Sequence, residues 1–198
     1  MGVKPFATVT GGVPRRALLV MPFAFAGWLV VSSRREHPIP DGAQSGDGAE
    51  VTVVLFSARG EREGAVRLRK IAKPDAEWRR ELAAEEFAVT RRAGTEPAFS
   101  GRYWNEHAAG MYRCVCCGNA LYRSQEKFES GTGWPSFWAP AAEENVRTEK
   151  DTSLFLERVE VLCRKCDGHL GHVFEDGPEP TGLRYCINSA ALRFTVYA

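Results

Sequence analysis

The first pattern along the chain is an apolar run from Ala17 to Val31, preceded by Arg15 and Arg16 and closed by Ser32, Ser33, Arg34 and Arg35. A membrane-spanning helix needs ~20 apolar residues, so the run is short for a span and suits the core of a signal peptide. Ala24-Phe25-Ala26 has the small-x-small form of a cleavage site. The run continues past it through Trp28, which keeps an uncleaved anchor open. The paired arginines loosely match a twin-arginine export signal. Pro22 argues against a core helix, and the Pro/Gly/Asp/Ser stretch from Pro38 to Gly48 reads as a linker. Residues 1–48 are therefore expected to be a signal or membrane anchor plus linker. That places the rest outside the cytoplasm, periplasmic or membrane-anchored, with a cytoplasmic protein as the alternative.

Alternation of a different period follows. Val51 to Phe56 is β-rich, Gly60 to Gly64 is a polar turn, and Ala65 to Ile71 alternates, so 49–72 is expected to be a hairpin lead-in. Pro74 and Asp75 then open a helix. Asp75 is a fair N-cap, Trp78, Leu82 and Phe87 mark the apolar stripe, and Gly94 ends it. Beyond that the apolar runs are short. Leu154 to Leu162, Leu183 to Ile187 and Ala191 to Tyr197 read as strands.

Composition narrows the class. With 198 residues, 44% hydrophobic and 26% charged, the chain is globular and large enough for one core plus an extension. Twenty-six basic against 25 acidic residues leave a net charge of +1. This argues against nucleic acid held through counterion release. Nineteen glycines and 11 prolines favour turns and short strands over a helical bundle.

All six cysteines lie after residue 99. Cys114 with Cys117, and Cys163 with Cys166, form two C-x-x-C knuckles. Four thiolates from two knuckles make the closed tetrahedral site of structural zinc. Two disulfides or redox pairs are the alternative. Cys116 sits inside a knuckle and reads as a small thiol, buried or partly exposed.

Cys186 is different. Arg184 and Asn188 stand two residues to either side, so on a strand all three side chains share a face. A guanidinium there favours the nucleophilic thiolate, and an amide can donate to it. His169 and His172 are surplus to a four-sulfur site. They can supply protons near neutral pH, as acid catalysis requires. Gly131-Thr132-Gly133-Trp134-Pro135-Ser136-Phe137-Trp138 holds three aromatic rings on a turn, either a packed corner of the core or an aromatic wall around a small apolar group.

Taken in order, these motifs resemble the B-type methionine sulfoxide reductases. The match runs through Tyr112-Arg-Cys114-x-x-Cys117-Gly118 and Ser130-Gly-Thr-Gly133-Trp134-Pro-Ser-Phe137. It continues through Cys163-x-x-Cys166-Asp-Gly-His169-Leu-Gly-His172-Val-Phe174 and Gly182-Leu-Arg184-Tyr-Cys186-Ile-Asn188-Ser189, and covers about Lys73 to Phe194. The resemblance implies a mainly β catalytic domain over 73–198. Its two small antiparallel sheets surround a four-cysteine zinc site (one structural Zn²⁺ per chain), with short N-terminal helices. It implies reduction of the R epimer of methionine sulfoxide, protein-bound or free. Cys186 becomes the nucleophile and passes through a sulfenic acid. His169 and His172 protonate the oxygen, Arg184 and Asn188 tune the thiol, and Trp134 and Phe174 bind substrate.

Thr132 departs from the family pattern. Many members carry a resolving cysteine at that position. An external reductant is therefore expected, thioredoxin or a similar dithiol carrier. The protein is expected to be a monomer. Two rival readings remain: a zinc-ribbon protein-binding module without catalysis, and a C-x-x-C disulfide oxidoreductase.

Overall fold

In the computed structural model, the described residues are Gly2, 48–152 and 158–198. The apolar run at Ala17–Val31 and the start of the strand expected at Leu154 lie outside them. No helix among the described residues is long and apolar enough to cross a membrane.

The lead-in forms an antiparallel hairpin, β1 (Glu50–Phe56) with β2 (Arg62–Arg69). Its turn falls at 57–61, earlier than the glycines suggest. Gly64 instead pairs with Leu55, beside a register shift that leaves Glu63 as the extra residue. Val53, Val54 and Phe56 are buried. Asn145 clamps the hairpin down: its side-chain oxygen accepts from the Val54 N–H at 2.7 Å, and its amide donates to the Val54 carbonyl at 2.9 Å.

The single helix expected from Asp75 to Gly94 is two helices, α1 (Asp75–Glu81) and α2 (Ala84–Arg92). Pro74, not Asp75, is the N-cap. The break comes at Leu82 and Ala83, both extended, with no glycine or proline to announce it. The Glu86 carboxylate reaches back to accept from the Ala83 N–H at 2.9 Å, which caps a fresh start there. Trp78, Leu82 and Phe87 are buried as the stripe requires.

The remaining strands are β3 (Gly110–Cys114), β4 (Ala120–Arg123), β5 (Lys127–Phe128), β6 (Ser136–Phe137), β7 (Val146–Asp151), β8 (Arg158–Cys163), β9 (His169–Phe174), β10 (Arg184–Ile187) and β11 (Leu192–Val196). They form two antiparallel sheets: six strands ordered β5-β6-β10-β9-β8-β7, and three ordered β11-β3-β4. The mainly β architecture, with two such sheets and short N-terminal helices, is as expected. The core between them is aromatic. Phe137 is fully buried, stacked on Tyr122 at 4.4 Å and edge-on to Tyr112 at 5.0 Å.

Candidate active site

The two knuckles are the same turn built twice. In the first, the Cys114 N–H donates to Asn119 O at 2.8 Å and the Gly118 N–H returns to Cys114 O at 2.9 Å. In the second, Cys163 donates to Gly168 O and Asp167 returns to Cys163 O, both at 2.9 Å. The residue four after the first cysteine is left-handed in each, Gly118 at φ 71° and Asp167 at φ 53°. Glycine meets that demand without strain, and aspartate is among the side chains that tolerate it.

The turns bring the Sγ atoms of Cys114, Cys117, Cys163 and Cys166 within 4.8 Å of one another. Cys114 lies 3.7 Å from Cys166 and Cys117 lies 3.6 Å from Cys163, and none is in a disulfide. A tetrahedral ion bound by sulfur at ~2.3 Å needs S–S edges of ~3.8 Å, so the cluster fits a metal ion of that geometry. Asn119 donates to Cys163 Sγ at 3.7 Å, easing the charge a thiolate there would carry.

Cys186 stands in the middle of the large sheet, half-buried on β10. Ser136 of β6 is its register partner on one side and His172 of β9 on the other. Glu160 of β8 faces His172 in turn. Directly paired residues project to one face, so Ser136, Cys186, His172 and Glu160 form a row across four strands.

Strict alternation would put His169, three residues from His172, on the opposite face. A register shift between β8 and β9, at Val161/Leu162, brings it round. The two imidazoles lie 5.4 Å apart, edge to face. Gly171 sits between them because nothing larger fits. A Cβ there would lie 2.1 Å from the Cys186 carbonyl oxygen.

Carboxylates fix the two tautomers. His169 Nδ1 donates to Glu160 Oε1 at 2.6 Å and His172 Nε2 donates to Asp151 Oδ2 at 2.8 Å. The lone pairs are left on His169 Nε2 and His172 Nδ1. Arg158 also donates to Asp151, at 2.6 Å. Burial lowers the His172 pKa, and the Asp151 hydrogen bond does not offset it.

Arg184 forms a two-bond fork with Asp176, 2.8 Å on each arm, and its guanidinium lies 4.4 Å over the Phe174 ring. The fork holds the Asp176 carboxyl below its usual range. Arg184 acts toward the Cys186 thiolate but does not outweigh burial. Burial pushes the thiol up, and the Arg184 charge, with a hydrogen bond from Arg184 and the one Thr132 can turn toward a thiolate, reduces the rise without reversing it.

Asn188 is also placed differently. β10 ends at Ile187, so the shared face stops short of it. Its side chain is buried, accepting from the Glu96 N–H at 3.1 Å and donating to Leu170 O at 3.0 Å. It ties the strand's end in place. The aromatic wall is narrower than the motif suggests. Phe137 belongs to the core, while Trp134 is half-buried with its indole N–H donating to Glu96 O at 3.1 Å.

Two contributors went unread in the sequence, Glu160 and Asp151, and the buried Glu96 was assigned no part in the site. Glu96 accepts the N–H groups of Ser189 and Ala190 at 2.6 and 2.8 Å. Only Glu160 carried a signal, an acid inside the apolar run Val159-Glu160-Val161.

The SelR domain matches residues 82–196, more than half of the chain. The chain belongs to the SelR family. It is 56% identical over 125 residues to a peptide methionine sulfoxide reductase MsrB of Hahella chejuensis, covering 63% of this chain and 90% of the relative. A relative of the same name in Synechococcus sp. is 58% identical over 118 residues, 60% and 87% of the two chains. A third, in Bradyrhizobium diazoefficiens, is 58% identical over 124 residues, 63% and 89%. The family read from the motifs is the family shown. Every SelR feature described above, both knuckles, both histidines and Cys186, lies inside the matched span. The hairpin β1–β2 lies outside it.

Proposed function

We propose that this SelR-family oxidoreductase reduces the R epimer of methionine sulfoxide, with Cys186 as nucleophile. The observation that carries this is the row Cys186–His172–Glu160, with His169 turned onto the same face. It sets a thiol beside two imidazoles of fixed tautomer.

Burial disfavours charge on both Cys186 and His172, so the resting pair is thiol and neutral imidazole. The sulfur attacks the sulfoxide sulfur while its proton passes to the His172 or His169 lone pair and on to the sulfoxide oxygen. Oxygen ends on Cys186 as a sulfenic acid and methionine leaves. The Cys186 sulfur is oxidised by two electrons and the methionine sulfur is reduced by two. Glu160 and Asp151 hold the imidazoles and favour the imidazolium during transfer. Trp134 and Phe174 offer apolar surface to the substrate.

Thr132 supplies no resolving thiol. Cys116 packs beside Cys166, Gly168 and α2 at the knuckle end. An external dithiol such as thioredoxin therefore condenses with the sulfenic acid, releasing water, and a second thiol frees Cys186 as a disulfide forms. Cys114, Cys117, Cys163 and Cys166 would hold one Zn²⁺, which cross-links the two knuckles and takes no part in the reaction. The N-terminal run keeps its reading as an export signal or anchor.

The test supplies dithiothreitol and offers the separate R and S epimers of a blocked methionine sulfoxide. The expected result is turnover of R alone, abolished in Cys186→Ser while metal content is retained. Failure of folded, metal-loaded protein to reduce either epimer would overturn the reading in favour of a zinc-ribbon binding module.

A further inference from the structure

A line of hydroxyls ends on the Cys186 sulfur. Thr132 Oγ1 lies 3.9 Å from Cys186 Sγ and 2.8 Å from Ser130 Oγ. Ser130 Oγ lies 2.7 Å from Ser136 Oγ, and Ser136 donates to the Trp134 carbonyl at 3.2 Å. The direction of this line follows from counting protons. Each hydroxyl has one proton, and a carbonyl only accepts. Ser136 therefore commits its proton to Trp134. The Ser130–Ser136 bond must then use the proton of Ser130, and the Thr132–Ser130 bond that of Thr132. The Thr132 N–H also donates to Ser130 Oγ, at 3.4 Å. Thr132 is left with only lone pairs to turn toward Cys186. A thiol can donate to them; a thiolate cannot.

We propose that Thr132, Ser130 and Ser136 form a protonation latch on Cys186. Anchored on the Trp134 carbonyl, the chain holds the sulfur as a thiol. Reversed, with Ser136 donating to Ser130, Ser130 to Thr132 and Thr132 to sulfur, it stabilises the thiolate. Reversal gives up one bond, Ser136 to Trp134. The position that lacks a resolving cysteine thus acquires a different part in the chemistry. Thr132 touches the reacting atom; Ser130 and Ser136 are positioning residues that act through it. This inference rests on Cys186 being the nucleophile.

The charged and titratable groups around Cys186 are Arg184 and Asp176, together with His172, His169, Glu160 and Asp151 across β8, β9 and β7. The hydroxyl substitutions alter none of these residues, so a difference between variants reports the latch.

The experiment follows alkylation of Cys186 by iodoacetamide against pH in the full, zinc-bound chain, read on the Cys186 peptide by mass spectrometry. Ser130→Ala frees the Thr132 proton to turn to sulfur, and Ser136→Ala does the same through Ser130. Each is expected to lower the Cys186 pKa by roughly 0.5–1 unit, the scale of one hydrogen bond. Thr132→Val removes the latent donor and is expected to raise it, and Thr132→Ser to leave it unchanged. Shifts of the same sign in Ser130→Ala and Thr132→Val, or none in either, would overturn the latch. Ser136 is fully buried; if its variant loses metal or fold, Ser130→Ala carries the test. Should Cys186→Ser keep its turnover, the functional reading fails instead. Unmoved titrations in an enzyme that needs Cys186 sink the latch alone.

Discussion

Cys186 on β10 and His172 on β9 are direct register partners, with both side chains on one face of the six-stranded sheet. The same burial acts on them in opposite directions. It raises the thiol above its ordinary 9.0 and lowers the imidazole below its ordinary 6.5. On the proposed mechanism the competent pair carries one proton, on sulfur. Acid protonates His172 below its depressed pKa and removes the acceptor. Alkali strips the thiol above its raised pKa and removes the proton the oxygen needs. The R-epimer kcat/KM is therefore expected to be bell-shaped, with the midpoint of its acid limb below pH 6.5 and that of its alkaline limb above pH 9. A limb with its midpoint between those values would overturn the opposed shifts on which the thiol and neutral-imidazole pair rests.

Arg184 gives a second prediction. Its charge opposes the burial of Cys186, while its fork to Asp176 and its stacking on Phe174 fix where that charge lies. Arg184→Met is expected to raise the thiol pKa further and move the alkaline limb up. Plateau kcat/KM should fall, about tenfold for each unit of thiol pKa. Arg184→Lys keeps the charge and loses the fork, so its limb should move less. A pH–rate series on the two variants checks this.

What the sequence disclosed depended on how local the rule was. A C-x-x-C turn is fixed within six residues, so all four clustered cysteines could be named from spacing. The β1–β2 hairpin followed from alternation for the same reason, and β10, the strand of Cys186, from its short apolar run; its neighbours β6 and β9 were not read as strands. The failures are long-range. Asn188 was placed on the strand face by counting in twos, but β10 ends at Ile187. The alternation rule also separates His169 from His172. They meet through a register shift that only the partner strand β8 creates. The α1–α2 break at Leu82 depends on Glu86 reaching back to Ala83, an alternative to helix that propensity does not weigh. Glu160 and Asp151 had no motif, because their role exists only once β7, β8 and β9 are side by side.

Trp134 and Phe137 separate site from core within one motif. Phe137 is fully buried against Tyr122 and Tyr112, so Phe137→Ala is expected to cost about 3–5 kcal/mol and lower the melting temperature sharply. Trp134 is only half-buried. Trp134→Ala is expected to keep most of the stability while losing kcat/KM on methionine sulfoxide at least tenfold. Thermal denaturation beside turnover reads both. Equal stability losses in the two variants would return Trp134 to the core.

The hairpin supports a prediction about metal retention. Asn145, fully buried, holds Val54 of β1 with both ends of its amide, and donates also to Ala120 O at 2.7 Å. Its backbone carbonyl accepts from Asn119, the residue that donates to Cys163 Sγ, and from the Arg164 N–H at 3.0 Å. The second knuckle is gripped as well. The Ile71 N–H donates to Lys165 O at 2.8 Å, and Lys70 pairs with Asp167 at 2.5 Å. A segment outside the matched SelR span therefore braces both turns that present the four thiols. Asn145→Ala leaves two buried backbone groups of Val54 without partners, which costs about 1–3 kcal/mol for each, and loosens the brace. Metal binding is coupled to folding of such turns, so the variant should release Zn²⁺ to a chelator several-fold faster and melt lower. Lys70→Met, at a partly exposed pair, should change release only slightly. Release followed with a chromogenic chelator decides the point. Wild-type release from Asn145→Ala would mean that the hairpin rests on the domain without bracing its metal site.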